Sequence, residues 1–241
     1  MQRTVVISQP RYLPIVSYLQ RLYNADLFIF LDTVQRQGRG WENRNKILLN
    51  GGRQKWLTIP ISSSSREAID KTVIAGTEWI EHHKNAIKCA YHDHPYFNES
   101  LIDASYDGVQ DELLENKFNY RPALVRMLTN ICAIFEFSPQ TAMASEYDDG
   151  DFGCSDRLLN ISRNAKADIY VSGANGRSYG VQESFAKSEI LVKFHNFPQP
   201  TYTQFNSSMS YPCLCFWDVI FNVGLDETSY LIKEKWSLSD S

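Results

Sequence analysis

Cys215 stands three residues ahead of Asp218 at the start of a strongly apolar stretch. A cysteine thiolate can attack and carry an acyl group. At the first turn of a helix the partial positive charge would lower the thiol pKa. The same spacing, with serine in place of cysteine, is a helix-capping pattern, so a structural role stands beside the chemical one. Asp32 follows the apolar run Leu27–Leu31. It could bind a ribose or sugar hydroxyl, act as a base, or simply cap a turn. His195 follows the run Ile190–Phe194; it is a candidate general base or a hydrogen-bonded structural histidine.

Three further stretches suit binding. Ser8 to Pro14 reads SQPRYLP. Its two prolines restrict the loop and so fix where Gln9, Arg11 and Tyr12 point. From Arg36 to Lys55 the chain carries Arg36, Arg39, Arg44, Lys46, Arg53 and Lys55, opposed only by Glu42. Within it Trp41, Asn43, Arg44, Asn45 and Lys46 combine a stacking face, two amides and two cations, a set suited to a sugar nucleotide or another phosphorylated ligand. There is no G-x-x-x-x-G-K-[ST] phosphate loop. The third stretch runs from Ser172 through Gly173, Asn175, Gly176 and Arg177 to Tyr179, small residues whose free N–H groups could cradle an anion. His82-His83 and His92-x-His94 do not have convincing metal-ligand spacing. The acidic segment 146–156 lacks EF-hand spacing and reads as solvated.

These residues need elements to hold them. Strands are expected at Arg3–Ile7, Leu27–Leu31, Lys55–Ile61, Thr72–Ala75, Asp168–Ser172 and Ile190–Phe194. Leu27–Leu31 is apolar at every position, as in a parallel strand buried on both faces. Helical spacing links Tyr12, Val16, Leu19 and Tyr23, then Trp79 to Tyr91, then Leu124 to Phe135 with Asn119 as N-cap. A short helix is expected from Asp156 to Asn164, and another through Trp217 and Phe221 with Gly224 as its C-cap. The order predicts an α/β fold: a Rossmann-like open, mostly parallel sheet flanked by helices, with a helical middle segment, as a single domain over residues 1–241. In such sheets ligands bind at the carboxyl ends of the strands. That edge is where the SQPRYLP segment, Asp32 and the Ser172 segment fall.

Across 241 residues the formal net charge is −4, which disfavours general nucleic-acid binding. No apolar run is long enough to span a bilayer, and no signal peptide is read. Five cysteines without a C-x-x-C pair fit a reducing cytoplasm.

Residues 7–46 resemble the WbqC-like family, with QPRYLP at Gln9–Pro14, the segment Ala25–Gln35, and WENRNKI at Trp41–Ile47. The similarity continues at Trp56–Ile61, Tyr170–Gly176, Pro200–Gln204 and Leu214–Gly224. It adds Gln35, Tyr202 and Gln204 to the candidate substrate-binding residues. The family pattern carries serine where this chain has Cys215. The resemblance implies a part in surface-polysaccharide (O-antigen) biosynthesis, as a transferase placing an acyl or aminoacyl group on a nucleotide-linked amino sugar. The donor would be an acyl thioester of coenzyme A or a carrier protein, with no tightly bound cofactor or metal. Two other readings stand: a non-catalytic sugar-nucleotide or glycan-binding protein, and a nucleotidyltransferase-like enzyme, against which the missing H-x-G-H counts.

Overall fold

A computed structural model describes residues 2–38, 40–64, 66–148, 150–205, 207–212 and 214–240, without the side chains of Ala174, Asn175 and Tyr179. Expectations for Arg39, Ser65, Asp149 and Cys213, and for the Asn175 and Tyr179 side chains, lie outside it.

The chain opens with β1 (Thr4–Ser8), α1 (Val16–Asn24) and β2 (Leu27–Phe30). An antiparallel hairpin follows, β3 (Arg44–Leu49) with β4 (Arg53–Thr58). The middle is helical: α2 (Trp79–Tyr91), α3 (Glu99–Tyr106), α4 (Val109–Glu115) and α5 (Tyr120–Ile134). Then come β5 (Thr141–Met143), α6 (Cys154–Asn164), β6 (Ile169–Ser172), α7 (Val181–Phe185) and β7 (Leu191–Asn196). The chain closes with α8 (Phe216–Val223), α9 (Leu225–Lys233) and β8 (Ser237–Ser239).

The main sheet has six strands in the order β5-β2-β1-β6-β7-β8. All neighbours are parallel except β7 and β8. The fold is therefore the α/β, mostly parallel sheet that the sequence predicts. Alternation along the strands builds a core on each face. Val6, Phe28 and Phe30 join the larger core with α1, α2, α5 and α8. Val5, Ile7, Leu27 and Ile29 join the smaller one with α6 and α7. Every residue of β2 is buried, as its unbroken apolar run requires.

Three local expectations change. The first helix begins at Val16, not near Tyr12. Pro14 breaks the run, and Leu13 is held at φ +43°, outside helical space. Thr72–Ala75 is not a strand; Val73 and Ile74 make only isolated bridges, and Gly76 at φ +74° turns the chain away. α6 starts at Cys154, so Asp156 is a first-turn residue rather than the cap. Asn119 caps α5 as expected, its side chain accepting from the Arg121 N–H at 2.9 Å.

Candidate functional site

From β1 the chain moves outward to β2 and then β5; from β6 it moves the other way to β7. The order reverses between β1 and β6, and such a switch point opens a crevice at the carboxyl ends of the two strands. Gln9 and Arg11 follow β1 there, and Gly173 follows β6. The approach there is close: a Cβ on residue 173 would lie 3.2 Å from Arg21 Nη1. Arg21, on α1, thus brings its guanidinium to the end of β6.

Arg11 and Arg36 join this edge. Both guanidiniums act electrostatically on Glu42 and on the Tyr120 hydroxyl, and Arg11 also acts on Arg21. Burial with like charge pulls the Arg21 pKa down to about 10, where it remains a cation at neutral pH. Arg36 and Glu42 are almost fully buried. Burial raises the Glu42 carboxyl pKa, against the pull of Arg11, Arg36 and nearby main-chain N–H groups. Among the described residues, Glu42 Oε2, Arg11 Nε and Arg36 Nε have no hydrogen-bond partner. Two cations, Arg11 and Arg36, therefore act on one carboxylate, with Arg21 next to Arg11 and polar atoms left unmatched. Unsatisfied buried groups are uncommon in a settled core, and each calls for an explanation.

Asp32 follows β2 at the same edge but is fully engaged. Its carboxylate accepts from Arg121 Nη1 (2.7 Å), Ser145 N–H (3.0 Å) and Ser145 Oγ (3.1 Å). Beside it, Thr33 donates to Asp148, which also pairs with Arg157. Asp148 is thus an anchor of the loop, where the sequence suggested a solvated acid.

The basic run does not act as one loop. The backbone of Glu42 accepts from Tyr12 N–H, the Asn45 amide donates to Leu13 O, and the Asn43 amide donates to Ile59 O at 2.9 Å. The first two bonds hold the SQPRYLP segment, including its strained Leu13, and the third ties the chain before β3 to the end of β4. Asn43 and Asn45 thereby serve the backbone, although Asn43 Oδ1 remains unpartnered. On one face of the hairpin, Arg44 and Lys46 lie over the Trp56 ring at 4.2 and 4.9 Å, and Trp41 meets Trp56 at 5.3 Å. Both indoles are more than a third exposed, leaving stacking surface free.

The remaining candidates are distributed inside the fold. Cys215 is the N-cap residue of α8 but is completely buried, and burial pushes its thiol pKa up to about 12. The expected lowering of that pKa is overturned: desolvation outweighs the helix-end N–H groups that favour the thiolate. Asp218 is also fully buried and accepts from Tyr91 (3.1 Å), Tyr202 (2.6 Å) and Gln204 (2.8 Å). Burial raises its pKa against those three donors. His195 shares a 2.6 Å hydrogen bond with Gln20, and burial beside Arg21 lowers its pKa to about 4. Tyr12 is buried with its hydroxyl between His83 Nδ1 (2.7 Å) and Tyr106 (2.6 Å). Ser172 Oγ donates to Gly173 O, and a Cβ on Gly176 would collide with that oxygen at 1.9 Å. Arg177 turns towards the sheet edge, over Phe194 and onto Ser239. Gln35 lies near the start of the basic run, bridged to Ala68. Among the described residues no His, Cys, Asp or Glu cluster could hold a metal, and no helix is long and apolar enough to cross a membrane.

Sequence reasoning passed over Arg21, Arg121 and Glu42. Glu42 carried one signal, as the lone acid in a basic run. Arg21 carried none, because its place at the end of β6 depends on the packing of α1.

The arrangement is that of an α/β protein with its polar cluster at a switch point. The chain belongs to the WbqC-like protein family, whose model matches residues 9–230. It is 31% identical over 233 residues to the uncharacterized protein Rv1507c of Mycobacterium tuberculosis, covering 95% of this chain and 97% of that relative. No solved structure matches it.

Proposed function

We propose that the protein binds a nucleotide-linked amino sugar at the switch point and transfers an acyl or aminoacyl group to its amine during surface-polysaccharide assembly. The observation that carries this reading is the pair Arg11 and Arg36 acting on Glu42, whose Oε2 is unmatched, with Arg21 beside Arg11. Guanidiniums suit a diphosphate because they donate in a planar fork. A desolvated carboxylate suits proton removal from an amine, since its raised pKa makes it a stronger base. In the proposed step the sugar nitrogen attacks the carbonyl carbon of an acyl thioester from coenzyme A or a carrier protein. A C–N bond forms, the C–S bond breaks, the thiolate leaves, and the amine proton passes to Glu42. Direct transfer is favoured over a relay through Cys215, whose thiol is buried and protonated.

A non-catalytic sugar-nucleotide or glycan-binding role is the second reading. Its support is that Asp32, His195, Cys215 and Asp218 all have internal partners or are sealed from solvent.

The test is thermal shift with nucleoside diphosphates and nucleotide-linked amino sugars, then thiol release from acetyl-coenzyme A. A ligand at about 100 times its Kd should add roughly 2.7 kcal/mol of stability. Arg11→Gln and Arg36→Gln should abolish the shift. Saturable binding without thiol release from any donor would support the binding role alone. No shift with any ligand, from a folded sample, would end the sugar-nucleotide reading.

A further inference from the structure

The basic run has a further destination. On β4, Arg53 and Lys55 share a face, two residues apart, and the pairing places Leu49 and Ile47 beside them. That face does not carry Trp56. It looks towards α2, and between them lies a groove of about 430 Å³, within the range of about 300–1,000 Å³ seen for small-molecule sites. Arg53, Lys55 and His82 bring cations and a titratable ring to its walls; Asn50 and Asn85 bring amides. Its base is short and apolar, from Leu49, Ala86 and Ala90, with the exposed thiol of Cys89 among them.

Among the described residues no carboxylate lines the groove. This is notable in a chain of net charge −4, and more so beside α2. Lys84 and Lys88 of that helix are each held by two carboxylates, from Glu81, Glu99 and Asp103. Arg53 and Lys55 form no ion pair among the described residues. Two cations about 7 Å apart along a strand can both reach one phosphate or diphosphate, which the two amides can also meet.

We propose that the groove between the β3–β4 hairpin and α2 is a second binding site, for the phosphate or diphosphate of a small phosphorylated ligand whose apolar arm lies over Ala86 and Ala90. The site is separate from the switch point and does not depend on the reaction proposed there.

Cys89 supplies a local readout, and Cys154, exposed on α6 and absent from the groove lining, supplies an internal reference. Iodoacetamide labelling of both thiols would be followed by peptide mass spectrometry with and without inorganic pyrophosphate. Pyrophosphate should slow Cys89 several-fold and leave Cys154 unchanged. Arg53→Gln with Lys55→Gln should remove the protection, as should Asn85→Trp, which fills the groove without touching the hairpin charges. Arg11→Gln should retain it. Three outcomes would overturn the site: no protection at millimolar pyrophosphate, equal protection by sodium chloride at matched ionic strength, or loss of protection in the Arg11→Gln protein.

Discussion

Glu42 and Asp218 are both buried carboxylates whose pKa is raised by desolvation, yet their surroundings differ in kind. Asp218 sits in a cage of three donors that uses both its oxygens. The cage ties α2, the segment around Tyr202 and α8 to one point, and Tyr91 in turn accepts from Leu48 N–H on β3. Glu42 has cations near it but an oxygen with no partner. A shifted pKa alone would mark both as functional. Hydrogen-bond accounting separates them: Asp218 is a fastener, and Glu42 keeps an oxygen unsatisfied, as the proposed ligand site requires.

The largest effect should come from the fastener. Asp218→Ala leaves the Tyr91 and Tyr202 hydroxyls without their acceptor and Gln204 Nε2 with only Tyr211 O. A loss of roughly 3–5 kcal/mol is expected, read as a lower urea midpoint. Asp218→Asn keeps one acceptor oxygen and should cost less. If Asp218→Ala unfolds at the wild-type midpoint, the cage is not structural and the contrast with Glu42 falls.

The buried histidines should produce the next effect. His83 and His195 have folded pKa values near 4, against about 6.5 unfolded. Between those values the unfolded chain binds more protons than the native one. Stability should therefore fall as pH drops from about 6.5 to 4, by roughly 1–3 kcal/mol for each histidine. Glu42 and Asp218 work in the opposite sense, because a raised carboxyl pKa favours the native state as it takes up protons. In His195→Gln, which can still donate to Gln20, the acid loss should be visibly smaller. An unchanged pH profile in that variant would remove His195 from the account.

The sheet was legible because its strands announce themselves: Leu27–Phe30 is apolar throughout, and Ile169–Ser172 ends in small residues. The edge that carries the polar cluster was legible too, since the rule for open sheets needs only the strand ends. The partners of each polar side chain were not. Nothing near Asp32 in sequence indicates Arg121 or Ser145, which arrive from the helical middle and from the turn after β5. Nor does spacing reveal that the Cys215 helix start is sealed, because burial depends on β3 and on the loop after β1, where Lys46 O and Pro14 O take the first N–H groups. The basic run misled for a related reason. Pairing of β3 with β4 sends alternate residues to opposite faces, so charges adjacent in sequence part company in space.

The smallest effect on stability should come from Glu42→Gln. The amide keeps the size of the side chain, and no side-chain hydrogen bond is lost at Oε2 because none is made there. Removing the charge relieves its desolvation but also withdraws a counter-charge from Arg11 and Arg36. These terms oppose one another, and a net change within about 1 kcal/mol is expected. Ligand behaviour should respond in a separable way. Binding of a nucleotide-linked amino sugar should persist or tighten, since a negative charge near the diphosphate is gone, while thiol release from acetyl-coenzyme A should fall by about 100-fold or more. Full thiol release in the variant would exclude Glu42 as the base. A stability loss as large as that of Asp218→Ala would make Glu42 a fastener as well, and the distinction between the two carboxylates would be void.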